Sequence, residues 1–338
     1  MNTKAAVLHQ MKLGRPYTDS NPLKIEQLTL DSPGFNEVVV KIKAAGICHS
    51  DLSVIDGNRP RPLPMALGHE AAGVVVALGK GVNKLAIGDH VVFAFLPSCG
   101  SCSYCHSGRA ALCEPGAEAN GKGTLLGGHK RIHNQGDYYH HHLGVSGFAE
   151  FSVASVDSLV KIDQEIPFEI AALFGCAVMT GVGAVVNTAQ LKFGESILIV
   201  GLGGVGLSAI LGAKAAGASN IIAADLNSKK RDKGKELGAH YTIDSSKKNA
   251  LQFLKDLSGG GVDVAVEFAG AIPALEFAFN ATKRGGRTVT AALPHPDAKL
   301  EISPVTLVGQ EKTLKAVSYT HLRAHETEAD LVCRLLLE

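Results

Sequence analysis

The stretch from Ser196 to Asp225 constrains the fold most. Ser196-Ile197-Leu198-Ile199-Val200 is a short apolar strand that runs straight into Gly201-Leu202-Gly203-Gly204-Val205-Gly206. An apolar, alanine-rich run follows from Leu207 to Ala216, then a second strand, Asn220 to Ala224, which ends at Asp225, nineteen residues beyond Gly206. Strand, glycine turn, helix and strand in this order form a parallel crossover unit built to hold a dinucleotide. The glycines act separately. Gly201 permits the tight turn, Gly203 lets a pyrophosphate approach the backbone, and Gly206 lets helix and strand pack closely. The helix N-terminus offers unpaired N–H groups to the anion. Asp225 can accept from both adenosine ribose hydroxyls and would repel a 2′-phosphate, so NAD is expected over NADP, although Lys229, Lys230 and Arg231 lie nearby.

Further units of the same kind follow. Asn227 or Ser228 can cap a helix that runs to Leu237 and stops at Gly238. Val262–Phe268 reads as a strand, Ile272–Thr282 as a helix, Gly286–Leu293 as a strand, and Leu300–Ala316 as a last extended segment. Successive units of this type make a doubly wound parallel sheet. The earlier half differs, with branched or alternating strands at Leu23–Leu28, Glu37–Lys43, Ala71–Leu78 and Asp89–Ala94 separated by glycine turns. At 338 residues the chain exceeds the usual size of one core, so two domains are expected. A net charge of +1 gives no reason to expect nucleic acid or an acidic membrane surface. Ile170–Leu191 carries no charge but contains Gly175, Gly181 and Gly183, and reads as a buried domain junction rather than a bilayer span. Met1–Lys12 has no apolar secretory core, which favours a cytoplasmic location.

Two groups of residues have the chemistry of metal ligands. Gly46-Ile47-Cys48-His49-Ser50-Asp51 and Gly68-His69-Glu70 supply a thiolate, an imidazole and two carboxylates, a donor set that suits zinc with one position left open. A Cys/His pair alone is more often a buried thiol and a structural histidine. Cys99, Cys102, Cys105 and Cys113 have the spacing of a closed tetrahedral zinc site, which clamps a lobe and performs no chemistry. Such clustering fits metal binding in a reducing compartment better than a disulfide framework. His129, His133 and the run His140-His141-His142 read as exposed imidazoles in a long polar loop, with no assigned role.

Taken together with Gly175-Cys176, these motifs make the chain resemble the zinc-dependent medium-chain alcohol dehydrogenases from about Lys4 to about Ala316. The resemblance implies an α/β protein with two parts. The first is a β-rich GroES-like catalytic domain over residues 1–178, with a structural-zinc lobe at 99–113. The second is a Rossmann NAD-binding domain over 179–316, through which relatives form homodimers or homotetramers. It implies two zinc ions per chain: Cys48, His69 and Cys176 as ligands of the catalytic one, with Glu70 able to enter the set and Asp51 orienting His69, and the four clustered cysteines as ligands of the other. Ser50 matches the family's zinc-side hydroxyl and Phe95 a residue of the substrate channel. Thr180 and Val205 match positions beside the nicotinamide, and Lys230 one beside the adenosine ribose. His49 and Gly204 join the cofactor contacts. The implied reaction moves a hydride between a small alcohol, with its aldehyde or ketone, and NAD. Polyols or the glutathione adduct of formaldehyde are alternative substrates, and a zinc-holding protein that senses NADH is the reading from another class. The chain departs from the family in two places. Ser53 stands where many relatives carry a histidine that ends a proton relay, so the relay is expected to end through Ser53 and water. Residues 317–338 match nothing in the family and read as a foreign or frame-shifted ending.

Overall fold

The computed structural model describes residues 1–317, so the expectation of a foreign ending lies, from Ser318 onward, outside the described residues. The chain divides into two compact units, Met1–Cys176 and a second that begins at Ala177.

The first unit contains ten strands: β1 (Asn2–Leu8), β2 (Leu23–Leu30), β3 (Glu37–Gly46), β4 (Met65–Ala66), β5 (Glu70–Leu78), β6 (His90–Phe93), β7 (Ile132–Asn134), β8 (Asp137–His141), β9 (Phe151–Ser155) and β10 (Leu159–Lys161). Five of them close a barrel in the order β1-β2-β7-β8-β4, and the others form a sheet in the order β10-β6-β5-β3-β9. Two buried clusters hold these layers together, one around Leu28, Leu30, Val39 and Ile132, the other around Val38, Val40, Val91 and Phe93. The register matters for function. Gly46, the last residue of β3, pairs with Glu70, the first of β5. Cys48 lies two residues beyond one strand and His69 one residue before the other, so the β3–β5 ladder alone brings them together.

His129 is exposed as expected, but the segment from Ile132 to His141 is not a polar loop of exposed imidazoles. It forms the β7–β8 hairpin, turned through Gln135 and Gly136 at positive φ, and β8 then pairs in parallel with β4. Period-two alternation buries Tyr139 and His141 on the barrel side of β8, and His142 follows them into the interior, leaving His141 0% and His142 1% exposed.

Among the described residues of the second unit, six parallel strands form one sheet: β11 (Ser196–Val200), β12 (Asn220–Ala224), β13 (Tyr241–Ile243), β14 (Val262–Glu267), β15 (Thr282–Thr290) and β16 (Thr313–Ala316). Their order is β13-β12-β11-β14-β15-β16, so the chain changes direction across the sheet between β11 and β14. Ile197 and Ile199 of β11 belong to one buried cluster, Leu198 and Val200 to the other. Burial on both faces is why this strand reads as a continuous apolar run.

Two further expectations need correction. Leu300–Ala316 is not one extended segment: Ser303 accepts from the Thr306 N–H and caps a helix, Pro304–Gly309, before β16 adds to the edge of β15. The strand expected at Gly286–Leu293 begins earlier and ends earlier, at Thr282–Thr290. Most of the uncharged run lies in a helix, Phe168–Thr188, that is long and apolar enough to cross a membrane by length and composition, yet 61% of its most apolar window is buried inside the protein. It contains two π-helical turns, Phe174–Val178 and Ala184–Thr188.

Candidate metal centres and dinucleotide cradle

One donor from each of Cys48, His69, Glu70 and Cys176 lies within 4.8 Å of the others. Each is placed by a different local device. Cys48 sits in extended conformation at the N-cap of the helix His49–Ile55, where its N–H donates to Asp51 Oδ2 at 3.0 Å. His69 donates Nδ1–H to Asp51 Oδ1, also at 3.0 Å. A carboxylate only accepts, so this contact fixes the tautomer and leaves the Nε2 lone pair free. Nε2 is buried and has no hydrogen-bond partner. Cys176 lies in the first π-helical turn, the kind of local distortion that often re-aims a side chain at a site. Gly175 before it is packed directly against the Phe93 carbonyl, where a Cβ could not fit. Glu70 is packed on Gly46, whose added Cβ would stand 3.1 Å from the Glu70 Cβ.

The electrostatics of this group ask for a cation. The Cys176 thiol, hydrogen-bonded to Cys48, holds the Cys48 thiol down at about 3, while the same contact and burial push Cys176 up. Burial raises Glu70 to about 7. Burial disfavours charge on His69, yet the Asp51 carboxylate and the Cys48 thiolate outweigh it and raise the ring to about 10. Asp51 is held well below the usual carboxylate range against its own burial, first by His142 and then by His69. Two sulfurs, a buried orphan imidazole nitrogen and a carboxylate fit a zinc ion, which would replace these compensating protons.

The second group is Cys99, Cys102, Cys105 and Cys113, again with donors within 4.8 Å of one another. Backbone N–H groups point at its sulfurs: Cys99 to Cys113 at 3.2 Å, Cys102 to Cys99 at 3.3 Å and Gly116 to Cys113 at 3.4 Å. Donors favour thiolate, and the N–H and hydroxyl of Ser101 lead in bringing Cys99 down to about 6. This all-sulfur set offers no oxygen or nitrogen donor, so it fits a closed zinc site.

In the second unit, the glycine turn leads into the helix Gly204–Ala215, whose N-cap is Gly203, with no side chain capping it. Gly201 has φ +90°, and nothing lies within 4 Å of where a Gly203 Cβ would be, so the backbone N–H groups there stay accessible. Gly206 packs on the Gly201 carbonyl with no space for a Cβ. Asp225 Oδ2 accepts from the Leu202 N–H and Oδ1 from the Asn227 N–H, both at 2.8 Å, which ties the acid to the glycine turn. Thr180 is buried, and Gly181 beside it packs against the Val205 carbonyl. Lys230 is exposed on the helix Ser228–Glu236.

In the first unit, His49 is exposed, and Ser50 is half-buried in the first turn of the helix that Cys48 caps. Phe95 stands edge-on to His69, with ring centroids 5.4 Å apart. Ser53 is buried, and its hydroxyl donates a hydrogen bond to the His49 carbonyl at 3.0 Å. Sequence reasoning missed His142, whose Nδ1 lies 3.2 Å from Asp51 Oδ1. The alternating burial along β8 was the available signal.

Comparison with known proteins agrees with this geometry. Residues 34–164 match the alcohol dehydrogenase GroES-like domain and residues 204–336 the zinc-binding dehydrogenase model. The chain is 38% identical over 322 residues to the NDMA-dependent alcohol dehydrogenase of Amycolatopsis methanolica, covering 94% of this chain and 84% of that one. Benzyl alcohol dehydrogenase from Acinetobacter calcoaceticus superimposes with a TM-score of 0.91 at 30% identity, over 100% of this chain and 89% of the other. An alcohol dehydrogenase zinc-binding domain protein from Burkholderia ambifaria gives 0.90 at 32%, with the same coverage. A relative this similar over most of both chains, together with buried donors suited to zinc and a glycine cradle suited to a nicotinamide dinucleotide, settles the classification: the chain belongs to the zinc-containing medium-chain alcohol dehydrogenases and is an oxidoreductase of alcohols and aldehydes.

Proposed function

We propose that the chain oxidises a small alcohol with NAD, using Cys48, His69 and Cys176 to hold a catalytic zinc and Cys99, Cys102, Cys105 and Cys113 to hold a structural one. Two observations carry this reading: His69 Nε2 is buried and unpartnered, and His69 offers a ring donor that groups within 4.8 Å of donors from Cys48, Cys176 and Glu70. When bound there, zinc supplies Lewis acidity to the alcohol oxygen, and NAD supplies the acceptor for the hydride. The rest falls to the protein. Asp51 fixes the His69 tautomer, and Glu70 offers a carboxylate that can join or leave the ligand set. Ser50, two residues from Cys48, would take the alcohol proton and pass it toward solvent. The Gly201–Gly206 turn binds the pyrophosphate, and Asp225 receives the adenosine ribose hydroxyls.

Similarity to a benzyl alcohol dehydrogenase makes aromatic alcohols the first class to screen, beside primary and secondary aliphatic ones. The test combines metal analysis with NAD and NADP reduction on the purified chain. Two zincs per chain and NADH formation that stops on exhaustive zinc removal are expected. NADH formation that survives zinc removal overturns the mechanism, and a single zinc per chain points to a zinc-holding module instead.

A further inference from the structure

His142 follows β8 directly, and the parallel pairing of Ala66 with His141 runs it alongside Leu67-Gly68-His69. Its backbone N–H donates to the Ala66 carbonyl at 3.3 Å and to Ser146 Oγ at 3.2 Å, so the residue is anchored at its base. The ring stands perpendicular to that of His69, at 86° and 5.4 Å between centroids. Its Nδ1 lies 3.2 Å from Asp51 Oδ1, the oxygen that accepts from His69 Nδ1 at 3.0 Å. All three side chains are 2% exposed or less.

The carboxylate is thus the meeting point of three donors in a dry interior: the Cys48 N–H on Oδ2, and the His69 and His142 rings on Oδ1. Because a carboxylate accepts only, the His142 nitrogen that faces it carries the hydrogen. That N–H does not point squarely at Oδ1 and meets no other acceptor. Its contribution is therefore to hold the shared oxygen between two crossed rings rather than to form a second strong bond. The Cys48 N–H fixes Oδ2; without His142, the only group among the described residues facing Oδ1 from the side would be the His69 ring that it must orient.

We propose that His142 is a positioning residue of the metal centre, which acts through Asp51 to fix the His69 ring in the orientation that presents Nε2 to the ligand set. The inference rests on the reading in which His69 is a zinc ligand, and the competing role is core packing, which a phenyl ring would perform as well.

The test is zinc retention by the intact, zinc-loaded chain against a chromophoric chelator, with thermal melting in parallel. His142→Phe, which keeps the ring and removes the donor, is expected to weaken one of the two zincs by about 10-fold, the lower end of what partners of metal-ligating histidines supply. His142→Asn, whose amide nitrogen reaches about the position of Nδ1, is expected to restore retention to within about 3-fold of the parent, whereas His142→Gln, with its donor displaced along a longer stem, is not. The four-cysteine zinc, as internal reference, stays unchanged. Parental retention in His142→Phe overturns the proposal, and so does His142→Asn as weak as His142→Gln, a comparison that decides the matter even if the phenylalanine variant does not fold. His69→Ala separates the two readings: if it keeps both zincs, the zinc assignment itself fails, whereas loss of one zinc there beside full retention in His142→Phe sinks only the role given to His142.

Discussion

His141 is a wholly buried imidazole whose effect on stability can be worked out from its surroundings. It is 0% exposed in β8, its Nε2 accepts from the Arg131 N–H at 3.1 Å, and its Nδ1 faces Ser146 Oγ at 3.4 Å. Burial pushes it down from 6.5 to about 3. Between those values the unfolded chain binds a proton and the folded chain does not, so acid favours unfolding. The neutral ring's contribution is complete above pH 6.5 and is lost as pH falls toward 3. The slope approaches about 1.4 kcal/mol per pH unit, which amounts to about 2 kcal/mol between neutrality and pH 5. For a unit of this size that corresponds to about 4–8 °C in Tm. His141→Gln keeps an acceptor for Arg131 but cannot titrate. Melting curves of parent and variant from pH 5 to 8, followed by circular dichroism, should show the parent losing its advantage by that amount at the acid end. Parallel curves would refute the reasoning, because they would mean that His141 is protonated as readily in the fold as out of it. The position matters beyond stability, since β8 pairs with β4 three residues before His69.

Two further substitutions probe the two sites. In Gly175→Ala the new methyl collides with the Phe93 carbonyl, its carbon 3.0 Å away, so the turn that carries Cys176 must shift. A misplacement of about 1 Å is expected to lower kcat/KM by about 100-fold, and the overpacking to cost about 1–3 kcal/mol; a fully active variant with normal zinc content contradicts this. Asp225→Ala removes the acceptor of the Leu202 and Asn227 N–H groups along with the negative charge. The ratio of NAD to NADP turnover should fall by about 10-fold or more, and an unchanged ratio removes Asp225 from cofactor selection.

The second unit was the more legible half, for a physical reason. A parallel strand buried on both faces must be apolar at every position, and a backbone that approaches a phosphate must be glycine, so β11 and Gly201–Gly206 had few other readings. The ligand residues of the first unit were legible as residue types, but the contact that unites them was not. Alternation gives the face of a strand and not its partner, and the pairing of Gly46 with Glu70 that joins Cys48 to His69 is a fact of register. Ser303-Pro304, by contrast, was a readable helix start, since a serine cap followed by proline at the first helical position fits few other structures. Reading Leu300–Ala316 as extended let branched residues outweigh that local chemistry.

The burial of the histidine run has a deeper cause than alternation along a strand. Polarity marks a residue as exposed only when the interior cannot satisfy it, and an imidazole has two nitrogens that can each find a partner. His141 finds the Arg131 N–H and Ser146, and His142 is drawn in by a carboxylate that sits 91 positions earlier in the chain. Tyr138, His140 and Asp137 remain at least partly open to solvent while Tyr139 and His141 are buried, a period-two pattern that composition averages away. The burial of Asp51 with His69 supplies the rest: a buried carboxylate that serves a metal ligand needs polar groups facing both oxygens, and two of the three that face it come from elsewhere in the chain, His69 just before β5 and His142 just after β8. A histidine that directly follows a buried strand and lies within reach of such a carboxylate is better read as its partner than as surface.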